Sequence, residues 1–147
     1  MFTDIEQALV ERLKAQLKET MPDVHVLTAS ELSEVDEARQ PTPAVHVIYN
    51  GYRTVPNTRT DGKATQVSQT WLTVIAVRNV RKRGSGEAAR EDAVALCEQV
   101  AGSLMGFRPQ SAAGPLTLTN APRSGASNGF SYVPLAFAVD TVLKAAN

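Results

Sequence analysis

The chain has 147 residues, the size of one domain and long enough to bury a core, with 43% hydrophobic and 20% charged residues, the balance of an ordinary soluble globular fold. Equal numbers of acids and bases give a net charge of zero, which speaks against a freely binding nucleic-acid protein with its basic excess. No apolar run reaches membrane-spanning length, the acidic opening MFTDIEQ lacks the plan of a signal peptide, and Cys97, the single cysteine, cannot close an internal disulfide. Synthesis in a reducing cytoplasm is therefore expected.

The first element is an amphipathic helix. Thr3 and Glu6 have the spacing of a capping box, and Ile5, Leu9, Leu13 and Leu17 line one face until Pro22 ends the pattern. Val24–Leu27 reads as a short strand. The acidic stretch Ser30–Arg39 holds Leu32 and Val35 as its large apolar residues and suggests a short helix or an ordered loop. Pro41 and Pro43 stop any helix before the next strand, 44–52, which is rich in β-branched and aromatic residues and breaks at Asn50-Gly51.

A polar, turn-rich arm, Thr54–Thr65, follows, longer than a hairpin needs. The longest strand-like run, Gln66–Val80, comes next. Its middle, Trp71–Val77, is apolar on both faces, as in a central strand covered on both sides. Arg81-Lys82-Arg83-Gly84-Ser85-Gly86 is a basic turn. A second helix is expected over Glu87–Met105, with Ala89, Ala93, Leu96, Val100 and Leu104 on one face and Gly106 as its stop. A short strand at Leu116–Thr119, a flexible loop at Asn120–Gly129 and a last strand at Phe130–Leu143 complete the chain. Pro134 inside that last strand demands an edge or a bulge. The order predicts one α+β domain over residues 1–147. It has a largely antiparallel or mixed sheet, two main helices packed on one face, and a protruding β-hairpin arm.

Single-residue chemistry is sparse, and no catalytic, cofactor-binding or metal-binding residue is assigned. His25 and His46 both sit inside strand patterns between valines and are expected to be partly exposed sheet residues. One cysteine and two histidines without ligand spacing do not make a structural zinc site. Cys97, mid-helix beside the apolar stripe, reads as an inert thiol. Gly84-Ser85-Gly86-Glu87-Ala88-Ala89 fits the loose form G-x-G-x-x-A, but three basic residues separate it from the strand and no acid follows at ribose-binding distance. A tight turn into a helix explains it.

Charge is unevenly spread. Residues 1–40 carry nine acids and four bases, whereas residues 41–147 carry six acids and eleven bases, a balance of −5 against +5. Such separation can set identical subunits head to tail, acidic patch on basic patch; an acidic solvated helix beside basic loops is the plainer explanation. Two clusters stand at opposite ends of the long strand: Arg53, Arg59, Asp61 and Lys63 around the arm, and Arg81, Lys82 and Arg83 in the turn. Loop position and charge mark the first as a candidate subunit or partner interface, and the second as a candidate contact with a subunit or with passing polyanion. Aromatic residues make up 5% of the chain, too few to support single-strand stacking.

Several segments, taken in order, resemble the tail terminators of long-tailed phages. They are the opening helix, Pro43-Ala-Val-His-Val-Ile-Tyr-Asn-Gly-Tyr52, Gln69-Thr-Trp-Leu-Thr-Val-Ile-Ala-Val-Arg-Asn79, Leu104-Met-Gly-Phe-Arg-Pro109, Pro115-Leu-Thr-Leu118 with Asn120-Ala-Pro122, and Gly129-Phe-Ser-Tyr-Val-Pro-Leu-Ala-Phe137. The resemblance spans nearly the whole chain. It implies a virion structural protein without enzymatic activity or cofactor, assembled in the host cytoplasm. It also implies a homo-oligomeric ring, commonly a hexamer, on the head-proximal end of the tail tube. Its partners would be further copies of itself, the tail tube protein, the head–tail connector and, transiently and without sequence preference, the passing double-stranded DNA, with no membrane involved. Another head–tail joining protein, such as a neck or stopper protein, and a small nucleotide-binding enzyme are the alternatives.

Overall fold

The computed structural model describes residues 2–56, 61–79 and 85–146. Three helices and six strands follow in the order α1 (Phe2–Thr20), β1 (His25–Thr28), α2 (Ala29–Leu32), a 3-10 turn (Glu37–Arg39), β2 (Ala44–Thr54), β3 (Ala64–Arg78), α3 (Ser85–Leu104), β4 (Thr117–Thr119), β5 (Gly125–Ser127) and β6 (Phe130–Lys144). The fold is α+β, as the sequence predicts.

Strand order is β1-β2-β3-β6-β4, with β5 also on β6. β1 lies parallel to β2 and every other pair is antiparallel. β3 is therefore central, and its whole length, from Ala64 opposite Lys144 to Arg78 opposite Phe130, is paired with β6. Side chains alternate across a strand, so the odd-numbered residues of β3 share one face. Trp71, Ile75 and Val77 on that face join Val45, Val47, Phe137 and Val139 in one apolar core. The helices supply the other half of that core. Ile5, Leu9, Leu13 and Leu17 of α1 and Ala93, Leu96, Val100 and Leu104 of α3 close over the same face. The two helices also meet through Arg12, which lays its guanidinium 5.0 Å from the Phe107 ring centre and donates from Nε to the Ser103 carbonyl at 3.0 Å. A cation at the carbonyl end of α3 complements the helix dipole there.

Four details differ from the sequence reading. α1 starts at Phe2 rather than after a cap at Thr3, and the Phe2 ring packs on Tyr49 at 5.0 Å, a tertiary contact that outweighs the local cap. The capping box falls instead at Thr28 and Glu31, which close it reciprocally at the start of α2. β2 does not break at Asn50-Gly51. Gly51 takes φ +94°, the pairing shifts by one residue between Tyr49 and Tyr52, and the strand continues through this bulge to Thr54. Finally, part of the expected flexible loop 120–129 is ordered: β5 returns into β6 through Asn128 (φ +49°) and Gly129 (φ +87°), the paired positive angles of a two-residue hairpin turn.

Pro134 is explained by the same register. Leu135 turns its carbonyl to β3, where Thr73 Oγ1 donates to it at 3.5 Å, whereas the Ala138 and Asp140 carbonyls face outward to Thr117 Oγ1 and the Ala113 N–H. Even-numbered residues of this stretch thus face the outer edge. Pro134 lies in the gap between β5, paired up to Tyr132, and β4, paired from Ala136, so its missing N–H costs no ladder bond.

Candidate interaction surfaces

Three strands flank residues 54–65, the segment expected to form the arm. Arg53 stands opposite Ser68 and Thr54 opposite Val67, and one further bond runs from the Val55 N–H to the Gln66 carbonyl at 3.0 Å. On the other side Ala64 pairs with Lys144, and the Ala145 N–H donates to the Lys63 carbonyl at 2.7 Å. Asp61, Gly62 and Lys63 make the turn that enters β3: Gly62 takes φ +69°, and Asp61 Oδ1 accepts from the Lys63 N–H at 3.1 Å. Asp61 thus shapes the turn with its own side chain.

Arg53, Asp61 and Lys63 are all exposed and grouped at this end of the sheet. Arg59, their fourth predicted companion, lies outside the described residues, as do Arg81, Lys82 and Arg83. Residues 57–60 are likewise outside them, so the arm's reach beyond the ladder belongs to the proposal below. β3 has 15 residues, so its two ends are separated by on the order of 45 Å along the strand. The end of β3 away from the arm is clamped to the β5–β6 hairpin. The Asn79 N–H donates to the Gly129 carbonyl at 2.7 Å, and Ser131 Oγ donates to Asn79 Oδ1 at 2.8 Å.

Beside the arm lies a surface that sequence reasoning missed. The bulge at Gly51 puts Tyr52 opposite Gln69, on the face that also carries Tyr49 and Trp71. Phe2 stacks on Tyr49 at 5.0 Å, and Tyr49 meets Trp71 edge-on at 5.2 Å. Trp71 is buried, but Phe2, Tyr49 and Tyr52 are 36%, 37% and 56% exposed. These three are the exposed aromatic residues among the large hydrophobic side chains left open to solvent. Exposed aromatic side chains grouped on a rigid base are the composition of binding hot spots. The available signal was the pair of tyrosines flanking Asn50-Gly51.

Beneath this corner a polar chain is sealed in the core. Gln69 and Thr141 are both 0% exposed; Gln69 Nε2 donates to Thr141 Oγ1 at 3.0 Å, and Trp71 Nε1 donates to Gln69 Oε1 at 2.9 Å. The side-chain polar groups satisfy one another, which makes their burial tolerable and fixes the tryptophan ring.

The opposite face of the sheet carries a latch. Glu37 in the 3-10 turn accepts from Tyr132 Oη at 2.5 Å, Asn128 Nδ2 at 2.6 Å and Ser127 Oγ at 3.1 Å, while Gln40 Nε2 donates to Tyr132 Oη at 2.7 Å. The hydrogen bond from Tyr132, with those from Asn128 and Ser127, holds the Glu37 carboxyl below its ordinary pKa. His46 is also on this face. It is 5% exposed rather than partly open, and its Nε2 has no hydrogen-bond partner; burial pushes its pKa down and keeps it neutral. Cys97 is half-buried, and its thiol is pushed up first by burial and then by Glu98, the opposite of an activated nucleophile. Among the described residues no group of three or more His, Cys, Asp or Glu is placed to hold a metal ion.

No curated protein matches this chain. A family model does, that of the phage tail terminator protein, over residues 2–147. The match takes in all three helices, the whole sheet and the aromatic corner, and with it the chain is shown to belong to the phage tail terminator family, a family of virion tail components.

Proposed function

We propose that the protein closes the head-proximal end of a phage tail tube as a homo-oligomeric ring, commonly a hexamer. It stops tube polymerisation there and presents the docking surface for the head–tail connector. The observation that carries this is the family match over residues 2–147. The surfaces agree with it. The described residues expose a rigid aromatic corner beside the exposed Arg53 and Lys63, the features of a joint.

In this function the arm, with Arg53, Arg59, Asp61 and Lys63, reaches a neighbouring subunit or the tube protein. Arg81, Lys82 and Arg83 meet passing double-stranded DNA or an adjacent subunit. The ring assembles in the host cytoplasm and has no enzymatic activity. The test is to add purified protein to polymerising tube protein and image the products by electron microscopy. Growth that halts, with an extra ring at one end of each tube, is the expected result. Tubes that elongate unchanged, with no protein at their ends, would overturn the proposal.

A further inference from the structure

The two faces of the sheet are covered unequally. α1 and α3 close over one of them, and the other carries the connection between β1 and β2. Those two strands are parallel, so the chain has to run back along them before β2 begins. It returns as α2, which packs against β1 and β2, then the 3-10 turn, on the face that holds Tyr132 and His46. This return segment is lightly held. Neither α2 nor the 3-10 turn contributes a buried residue; Leu32 is half-buried and Val35 is exposed. Its main-chain bonds are local, from Ser33 to Ala29, Glu34 to Glu31, Val35 to Leu32, Arg39 to Asp36 and Gln40 to Glu37. The bonds that tie it down come from side chains and converge on one hydroxyl, for Tyr132 Oη donates to Glu37 and accepts from Gln40. Asn128 and Ser127 add two more to the same carboxylate. Local backbone bonding with little buried apolar surface marks a segment that opens ahead of the core.

Beneath the segment the sheet is sealed from water. Ala44, Ala76 and His46 are buried there, and His46 Nε2 has no hydrogen-bond partner. Leu27 and Val74 flank the imidazole on the neighbouring strands, and the Tyr132 ring centre is 6.3 Å away. His25 and Arg78 share this face farther along β1 and β3, both exposed. The connection itself carries Glu31, Glu34, Asp36, Glu37 and Arg39, none of which bonds to Nε2. We infer that residues 29–43 form an acid-released strap, which lifts from the sheet as a unit while the helix-covered core stays folded, because protonated His46 is solvated only when the strap is open. The sign follows from burial. Closed, the strap holds His46 below its ordinary 6.5; open, the imidazole returns to that value, so opening takes up a proton below pH 6.5 and none above it. Glu37 acts in the same direction below pH 4.5, where protonation spoils the acceptor for Tyr132, Asn128 and Ser127. The strap belongs to the single chain and does not depend on the ring.

Native-state proteolysis with a glutamate-specific protease tests this, since cleavage tracks the open population when opening and closing are fast. Glu31 and Glu34 report on the strap, whereas Glu11 in α1 and Glu98 in α3 report on the core. Rates are taken on either side of the histidine range, at about pH 7.5 and about pH 5.5, and each is divided by the rate on an unfolded peptide covering residues 29–43. In wild type, cuts after Glu31 and Glu34 should precede those after Glu11 and Glu98. They should also quicken at the lower pH by up to about tenfold, the limit for one proton. His46→Leu should remove that acceleration. Tyr132→Phe strips the hydroxyl and should speed strap cleavage about tenfold at both pH values, with the cut after Glu11 unchanged. Strap cuts that appear only together with the helix cuts, or at equal rates at both pH values, would overturn the inference, and wild type alone decides both should a variant fail to fold. A folded Tyr132→Phe chain whose strap resists cleavage like wild type would overturn it as well.

Discussion

Gln69 accepts a hydrogen bond from Trp71, two residues further along the same strand and on the same face, with a distance of 2.9 Å and both side chains buried. Thr141 on β6 completes the chain by accepting from Gln69 at 3.0 Å. The aromatic corner is built on this base, because Tyr49 leans edge-on against the tryptophan that Gln69 holds. Replacing Gln69 with Leu keeps the volume but leaves the indole N–H without its acceptor. A destabilisation of about 1–3 kcal/mol is expected in chemical denaturation. Thr141→Val in the same background should cost about 1 kcal/mol less than it does alone, since its partner is already gone. Strict additivity would show that the two side chains do not cooperate.

Acid should weaken the fold in two steps. His46 is neutral in the folded protein because burial lowers its pKa from 6.5. Just below pH 6.5 the unfolded chain takes up a proton there that the folded chain refuses, so stability falls with pH until the lowered folded value is reached. Glu37, lowered from 4.5 by its bonds to Tyr132, Asn128 and Ser127, adds a second loss below pH 4.5 as its carboxylate is protonated. His46→Leu should abolish the first step without loss of stability at pH 8, because Nε2 has no partner to lose. An unchanged pH profile just below 6.5 in that variant would show that His46 is not the group responsible.

Much of this layout was legible because strong periodicity survives tertiary context. The α1 stripe of Ile5, Leu9, Leu13 and Leu17 is buried as a period of 3.6 requires, and the doubly apolar Trp71–Val77 run is the centre of the sheet. β5 was not legible. Gly125, Ala126 and Ser127 have little strand preference, and only the Asn128-Gly129 turn signals the hairpin. Nor does a sequence show that Gln69 and Thr141 find each other, since 72 residues separate them and the bond depends on the β3–β6 register. The aromatic corner depends on one extra residue in β2. Without the bulge at Gly51, Tyr52 would point away from Tyr49.

The arm should be dispensable for folding and needed for assembly. Pairing of β2 with β3 extends to Val55 and Gln66, so excising residues 56–63 and joining Val55 to Ala64 through Asn-Gly leaves every β2–β3 pair in place and removes only the Lys63 bond to Ala145. The unfolding midpoint should stay close to wild type while termination is impaired. Shortened protein that still yields tails of normal length would make the arm ornamental.

The basic run Arg81-Lys82-Arg83 offers a sharper distinction between a joint and a DNA-binding protein. A chain of zero net charge with three clustered cations should bind duplex DNA weakly and without sequence preference, losing that binding near physiological salt. Arg81→Ala with Lys82→Ala and Arg83→Ala should lower the salt slope of log affinity by about 0.9 for each phosphate contact removed, with no change in stability. Tight, sequence-selective binding at physiological salt would be incompatible with a structural joint.

The central claim, that this protein stops tail growth, is tested most directly by tail length. Phage particles made without it, and again with it supplied from a plasmid, can be measured in electron micrographs. Loss should give tubes of uncontrolled, mostly excessive length without heads, and the plasmid copy should restore one sharp length. Headless tails of normal, uniform length in its absence would show that another protein ends the tube.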